Sequence, residues 1–204
     1  MSSFSNTDTG SKPADPYTQK NVEEESLKEK VEDFKAFVDK AKFSMLTTKT
    51  QDGLLASRCM AVAAKEGNGV DILYHTNTES GKTDDLEANP DVNVAFLTAS
   101  GEWASVSGKA TVETDRSKVR EYYSPALKAW LGDLGDGKHD GGPEDPRIAL
   151  IKVQALTIQY AISRTNIVKS AIDLAKGAIT GETPAINKIR HLSKEEVQQW
   201  RSSA

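Results

Sequence analysis

The chain of 204 residues is poor in cysteine, histidine and aromatic side chains, and each shortage closes off a class of function. Cys59 is the single cysteine, so no disulfide can form within one chain and no cysteine-rich zinc site can be built. Such a chain suits a reducing compartment, and the cytoplasm is the expected location. The three histidines, His75, His139 and His191, are too scattered to make a metal-ligand motif, so no metal is expected. Basic residues are also short. The 26 Lys and Arg against 30 Asp and Glu give a net charge of −4, the wrong sign for a general nucleic-acid binder. No run approaches the roughly 20 apolar residues of a membrane-spanning helix, and the N-terminus has no apolar signal core. Neither nucleic acid nor membrane is an expected partner.

What is present reads as one core with appendages. Residues 1–20, rich in Ser, Thr, Asp and Pro, read as a disordered lead-in. Over 22–40, Leu27, Val31, Phe34 and Val38 recur at spacings of four, three and four, which is one face of a helix. Five β-rich runs follow, over 43–48, 54–64, 70–76, 92–98 and 103–113, separated by Gly-bearing turns. A short helix is expected over 82–88, ended by Asn89-Pro90, and another after the N-cap residue Asp115. Residues 131–146, dense in Gly and Pro, read as a long surface loop. Strands over 147–153 and 156–162 bring the count to six or seven. A helix near 167–176 is expected to stop at Gly177, and Ser193 with Glu196 forms a capping box for a last short helix. Trp130 and Trp200 are expected as packing anchors, with Tyr122 or Tyr123 packed on the barrel and His139 in solvent. Short antiparallel strands with outlying helices point to a small barrel.

The chemistry is concentrated in two stretches, Ser57-Arg58-Cys59-Met60 within a strand and His75-Thr76-Asn77-Thr78-Glu79-Ser80-Gly81-Lys82 leading from a strand into a helix. A helix N-terminus presents unpaired N–H groups and a partial positive charge. Thr76, Thr78 and Ser80 add hydroxyls, Gly81 admits close approach, and Lys82 and Arg58 add full charges suited to phosphate oxygens. A second reading stands beside this one. Ser80 is then only the helix N-cap, Arg58 pairs with Glu79, Asp84 or Asp85, and Lys82 is solvated. Cys59 reads as a small buried thiol, with redox activity the alternative.

At these residues the chain resembles the pyridoxamine 5′-phosphate oxidase-like flavoproteins. Their pattern runs from an Arg-bearing strand to aromatic-or-His, Thr, Asn, x, Glu, Ser, x, Lys. Within that superfamily it is most similar to the general stress protein branch, and to its fungal blue-light-inducible members of about this length. The likeness spans 22–162. It implies a mainly β (α+β) fold, a six-stranded antiparallel split β-barrel with peripheral helices, whose homodimer binds FMN at the subunit interface. The implied division is a tail over 1–20, an FMN-binding split-barrel domain over 21–163 and a C-terminal helical extension over 164–204. Carried over by position, Arg58, Thr76, Ser80 and Lys82 would grip the FMN phosphate. Ser57, Cys59 and Met60 would line the ring, largely through main-chain groups, and His75 would flank the ring or ribityl chain. Trp103 and Ser105 would approach the flavin from the second subunit.

Three departures separate the chain from the vitamin B6 oxidases proper and from many stress-branch members. The C-terminal Arg and His pair that the oxidases use for substrate phosphate has no match here. Gly81 stands where the oxidases have an Arg, and Tyr160 is followed by Ala161 where many stress proteins have Trp. The expected function is an FMN-dependent redox protein passing electrons from a reduced nicotinamide to a small acceptor. The alternative is a flavin-binding or stress-sensing protein without turnover. A third possibility keeps the barrel and exchanges FMN for a deazaflavin or haem.

Overall fold

Alternation of buried and exposed side chains builds the sheet, as the period of two requires. The computed structural model of the chain describes residues 15–164 and 167–203. Two helices lead in, α1 (Pro16–Asn21) and α2 (Leu27–Ala41). The Ser26 hydroxyl accepts from the Glu29 N–H, so α2 starts later than the apolar pattern alone suggests. Its face of Val31, Phe34, Phe37 and Val38 is buried.

On β1 (Phe43–Lys49), Ser44, Leu46 and Thr48 turn inward. β2 (Leu55–Ala61) pairs with β1, and its half-buried face carries Ala56, Arg58 and Met60. The run expected over 54–64 is two strands. After Ala61 the chain turns a corner, Val62 N–H bonding to the Lys42 carbonyl and Ala63 N–H to that of Leu73. β3 (Ala64–Glu66) then pairs with β4 (Asp71–Asn77) and not with β1. The series continues through α3 (Gly81–Ala88), β5 (Asp91–Leu97), β6 (Trp103–Glu113), α4 (Arg116–Tyr122), α5 (Leu127–Leu131), β7 (Ile148–Ser163), α6 (Ile167–Thr180), β8 (Asn187–Leu192) and α7 (Lys194–Arg201).

All strand pairs are antiparallel, in the order β2-β1-β5-β6-β7-β4-β3, with β8 also on β7. The fold is a split β-barrel with peripheral helices, with eight strands among the described residues in place of the expected six. β7 makes the split. One edge pairs with β6, while the other serves β4 over 148–153 and β8 over 158–163. The two runs expected over 147–162 are therefore one strand. Ser107 faces Thr157 but Gly108 faces Ala155, so Leu156 is an extra residue at a bulge. Glycine is required there, because a Cβ on Gly108 would lie 2.4 Å from the Gln154 carbonyl oxygen.

The interior packs Leu46, Tyr74, Val94, Phe96, Val106, Ile151 and Tyr160 against the buried face of α2, with Phe34 and Tyr160 rings 6.2 Å apart. A smaller cluster of Leu73, Val119, Ile148 and Leu150 lies beneath α4, with both Tyr122 and Tyr123 packed on it.

Several expectations change at the periphery. The segment after 164 is not helical alone, since β8 joins the sheet. α6 runs through Gly177 and ends before Gly181, whose φ of 75° suits the left-handed cap. The capping box of Ser193 and Glu196 opens α7 as read. Of the expected tail, residues 1–14 lie outside the described residues, and 16–20 are helical behind an Asp15 cap. Trp200 packs on the core, but Trp130 is 87% exposed and anchors nothing. His139 is partly covered and pairs with Asp136. Among the described residues no helix is long and apolar enough to cross a membrane.

Candidate functional site

The end of β4 and the start of α3 are shaped by Asn77. Its side-chain oxygen accepts from Glu79 N–H at 2.8 Å, and its carbonyl accepts from the Ser80 hydroxyl at 2.7 Å. Ser80 occupies the N-cap position, yet its side chain makes no capping hydrogen bond. Having turned back to Asn77, the hydroxyl leaves the first-turn N–H groups of α3 without a side-chain acceptor among the described residues. Outside its own helix backbone and chain neighbours, no described residue comes within 4 Å of where a Cβ on Gly81 would be, so the approach to this backbone is open.

Two cations meet at this corner. Arg58 reaches from β2, with Nη1 donating to Thr48 Oγ1 at 2.7 Å and to the Ala56 carbonyl at 3.2 Å. Its Nη2 donates to Asp85 Oδ2 at 3.0 Å. Of the three carboxylates weighed as its partner, Asp85 is the one engaged. Lys82 is half-buried, and its ammonium donates to the Ser80 hydroxyl at 2.7 Å. Among the described residues no carboxylate pairs with it. Burial, and then the positive Arg58 guanidinium, push its pKa down. Asp84 also lies in the first turn of α3. Arg58, however, is paired by Asp85, while Lys82 has no carboxylate partner among the described residues. A half-buried cation beside an uncapped helix start is thus left to suit an anion.

The other candidate residues divide by strand face. Thr76 is buried beside the corner, its hydroxyl donating weakly to the Asn77 carbonyl. Met60 shares the inner side of β2 with Arg58 and packs against the core. His75, the alternate residue to Thr76, points instead beneath α4, with Nε2 2.7 Å from the Tyr122 carbonyl oxygen. A bond to a carbonyl makes Nε2 the protonated nitrogen.

Ser57 and Cys59 lie on the outer face of β2. Ser57 shares a hydrogen bond with Thr47 at 2.7 Å, and the free thiol of Cys59 is exposed, not buried as expected. Trp103 and Ser105 lie on the outer face of β6, Ser105 Oγ accepting from Asn93 Nδ2 at 2.8 Å. The register joins these residues in one cross-strand row, Cys59, Met45, Ala95 and Ser105. Three strand spacings, about 14 Å, separate its ends. Within one chain, therefore, the structure gathers Arg58, Ser80 and Lys82 but leaves Trp103 and Ser105 far across the sheet. That outer face also exposes Phe43, Met45, Leu55 and Leu97.

Sequence reasoning missed Thr48. It is an inward residue of β1, and its partners on β2 and α3 become visible only when the strands are paired.

Comparison with known proteins agrees with this architecture. The family model described as Pyridoxamine 5′-phosphate oxidase like matches residues 29–185. The bli-3 protein of Neurospora crassa is 56% identical over 203 residues, covering 98% of this chain and 97% of its own. The General Stress Protein 26 of Bacillus anthracis superposes with a TM-score of 0.52 at 27% identity, over 66% of this chain and 92% of its own. A Nostoc punctiforme protein described as pyridoxamine 5′-phosphate oxidase-related and FMN binding is 15% identical and shares the fold. It has a TM-score of 0.51 over 65% of this chain and 81% of its own.

Proposed function

The chain belongs to the pyridoxamine 5′-phosphate oxidase like family, in its general stress protein branch, and from that premise we propose that it is an FMN-binding redox protein acting as a homodimer. The observation that carries this reading is Lys82, a half-buried ammonium without a carboxylate partner among the described residues, beside Arg58 at the uncapped start of α3. Burying a cation without an anion is unfavourable, and a phosphate monoester would relieve it. Arg58, Thr76, Ser80 and Lys82 would hold that phosphate. The main chain of Ser57, Cys59 and Met60 would line the ring, and His75 would contribute through its backbone, since its ring is engaged by Tyr122. When bound, the flavin supplies hydride and single-electron transfer, and the protein sets its orientation and hydrogen bonding.

The exposed outer face supports the dimer. Leu97, 75% exposed, and its apolar neighbours form a surface that water solvates poorly and a second copy would bury. Such a pairing brings Trp103 and Ser105 of one chain toward the flavin of the other.

The test begins with an absorbance spectrum of the purified protein and identification of any ligand released by heat. Flavin bands with FMN in the supernatant support the reading. A colourless protein that takes up no added FMN removes it. Anaerobic mixing with reduced nicotinamide then decides the redox role. Rapid bleaching supports electron transfer, whereas a flavin that stays oxidised points to storage or sensing.

A further inference from the structure

Arg58 is held by its tip. A guanidinium has a terminal edge between Nη1 and Nη2, and a side edge formed by Nε and Nη2. Thr48 Oγ1 accepts from Nη1 at 2.7 Å, Asp85 Oδ2 accepts from Nη2 at 3.0 Å, and the Thr48 hydroxyl donates to the same Asp85 oxygen at 2.9 Å. Two acceptors so close together, each on a different Nη, must share the terminal edge. On opposite flanks they would lie much farther apart. The Ala56 carbonyl takes the other Nη1 hydrogen. What is left is the side edge, Nε–H and the second Nη2–H, a parallel fork with no acceptor among the described residues. The side chain is about one-third exposed, so that edge is within reach of a ligand.

Resting on the FMN reading above, we propose that Asp85, braced by Thr48, is a positioning residue that occupies the tip of Arg58 and thereby turns the side edge of the guanidinium toward a phosphate monoester. Asp85 and Thr48 are both buried, so neither has freedom to release the tip. The arrangement also divides labour between the cations. Arg58, neutralised by Asp85, supplies directed donors, and Lys82 supplies the uncompensated charge.

This assignment fixes the sign of an effect that charge alone would reverse. Removing a carboxylate near an anion site strengthens anion binding if the carboxylate merely repels. It weakens binding if the carboxylate aims the donor. The experiment is fluorescence titration of the full chain, freed of flavin, with FMN and with riboflavin, which lacks the phosphate. Asp85→Ala is expected to weaken FMN binding about tenfold, the scale of a charge-assisted hydrogen bond, and to leave riboflavin unchanged. Asp85→Asn, which keeps an acceptor for Nη2, is expected between the two. In an Arg58→Ala background, Asp85→Ala is expected to add little. Thr48→Val, close in shape, is expected to shift FMN alone and keeps the test available if Asp85→Ala does not fold.

FMN binding as tight as wild type in Asp85→Ala, or tighter, overturns the proposal. Equal losses for both flavins overturn it too, because the role would then be structural. If Lys82→Ala weakens FMN while the Asp85 and Thr48 variants do not, the FMN reading survives and this inference falls. If the wild-type chain binds no FMN, both fall.

Discussion

Arg147 grips Asp145 side-on, with Nη2 2.7 Å from Oδ2 and Nε 3.1 Å from Oδ1, and neither side chain is more than 6% exposed. The same guanidinium donates to the carbonyls of Leu131 and Gly132, and Asp145 Oδ2 also accepts from Gly141 N–H. Both ends of the glycine-rich loop are thus tied to one buried ion pair. The Arg147 carbonyl accepts from Thr78 N–H, which joins that pair to the turn leading into Ser80 and Lys82.

Asp145→Ala strands a buried guanidinium, and a loss of about 3–5 kcal/mol is expected in urea unfolding at neutral pH. The Arg147 hydrogen bonds hold the Asp145 carboxyl well below the usual carboxylate range. Its contribution is therefore complete above the unfolded value near about 4 and is lost as pH falls toward the lower folded value. The stability gap between wild type and Asp145→Asn should narrow on acidification below pH about 4. A gap independent of pH would contradict the assignment.

Arg201 anchors the last helix in a similar way. It donates to Asp71 at 2.7 and 3.1 Å and to the Ala155 carbonyl at 2.7 Å, while Asp71 is almost wholly buried. Arg201→Ala leaves that carboxylate unpaired, and calorimetry should show a loss of about 3 kcal/mol or more. Arg201→Lys should recover little, since an ammonium cannot reproduce the fork.

Gly108→Ala tests the bulge. Its Cβ would meet backbone and not a yielding side chain, so a cost of roughly 1–3 kcal/mol or more is expected in denaturant titrations. Wild-type stability in this variant would mean that the bulge is absent.

Lys82→Ala and Arg58→Ala should each weaken FMN binding by roughly 1–3 kcal/mol in fluorescence titrations. The pKa of Lys82 lies below its ordinary value in the free protein, and a bound phosphate dianion would raise it again. Affinity should therefore fall as pH rises through the lowered value, and Lys82→Ala should lack that component.

Leu97→Glu places a charge on the outer sheet face at a position 75% exposed in one chain. Sedimentation should show a dimer for wild type and a monomer for the variant, with thermal stability of the monomer fold little changed. An unchanged dimer would move the interface elsewhere.

The barrel class was legible because local rules agree with the fold. Alternation along 104–110 is visible in the residues, with Ser105, Ser107 and Lys109 outward, and Asp115 and Ser193 cap helices where their chemistry says they should. The strand count was not legible. Residues 187–192 are a strand because β7 offers a free edge beyond 157, which no local pattern announces. The break at Val62 was hidden for the same reason, since 54–64 is uniformly compatible with strand and only the barrel corner divides it.

By itself the sequence determined the caps at Asp115 and Ser193 and most strand positions, because these depend on side chains within a few residues of one another. Tertiary structure alone decided that Asp85 and not Glu79 or Asp84 holds Arg58, that Thr48 braces the pair, and that Trp103 and Ser105 face away from the corner in their own chain. The contacts around Arg58 join residues 10 to 37 positions apart. Which partner is chosen follows from strand register and helix docking, where one residue of slip would turn every side chain to the opposite face.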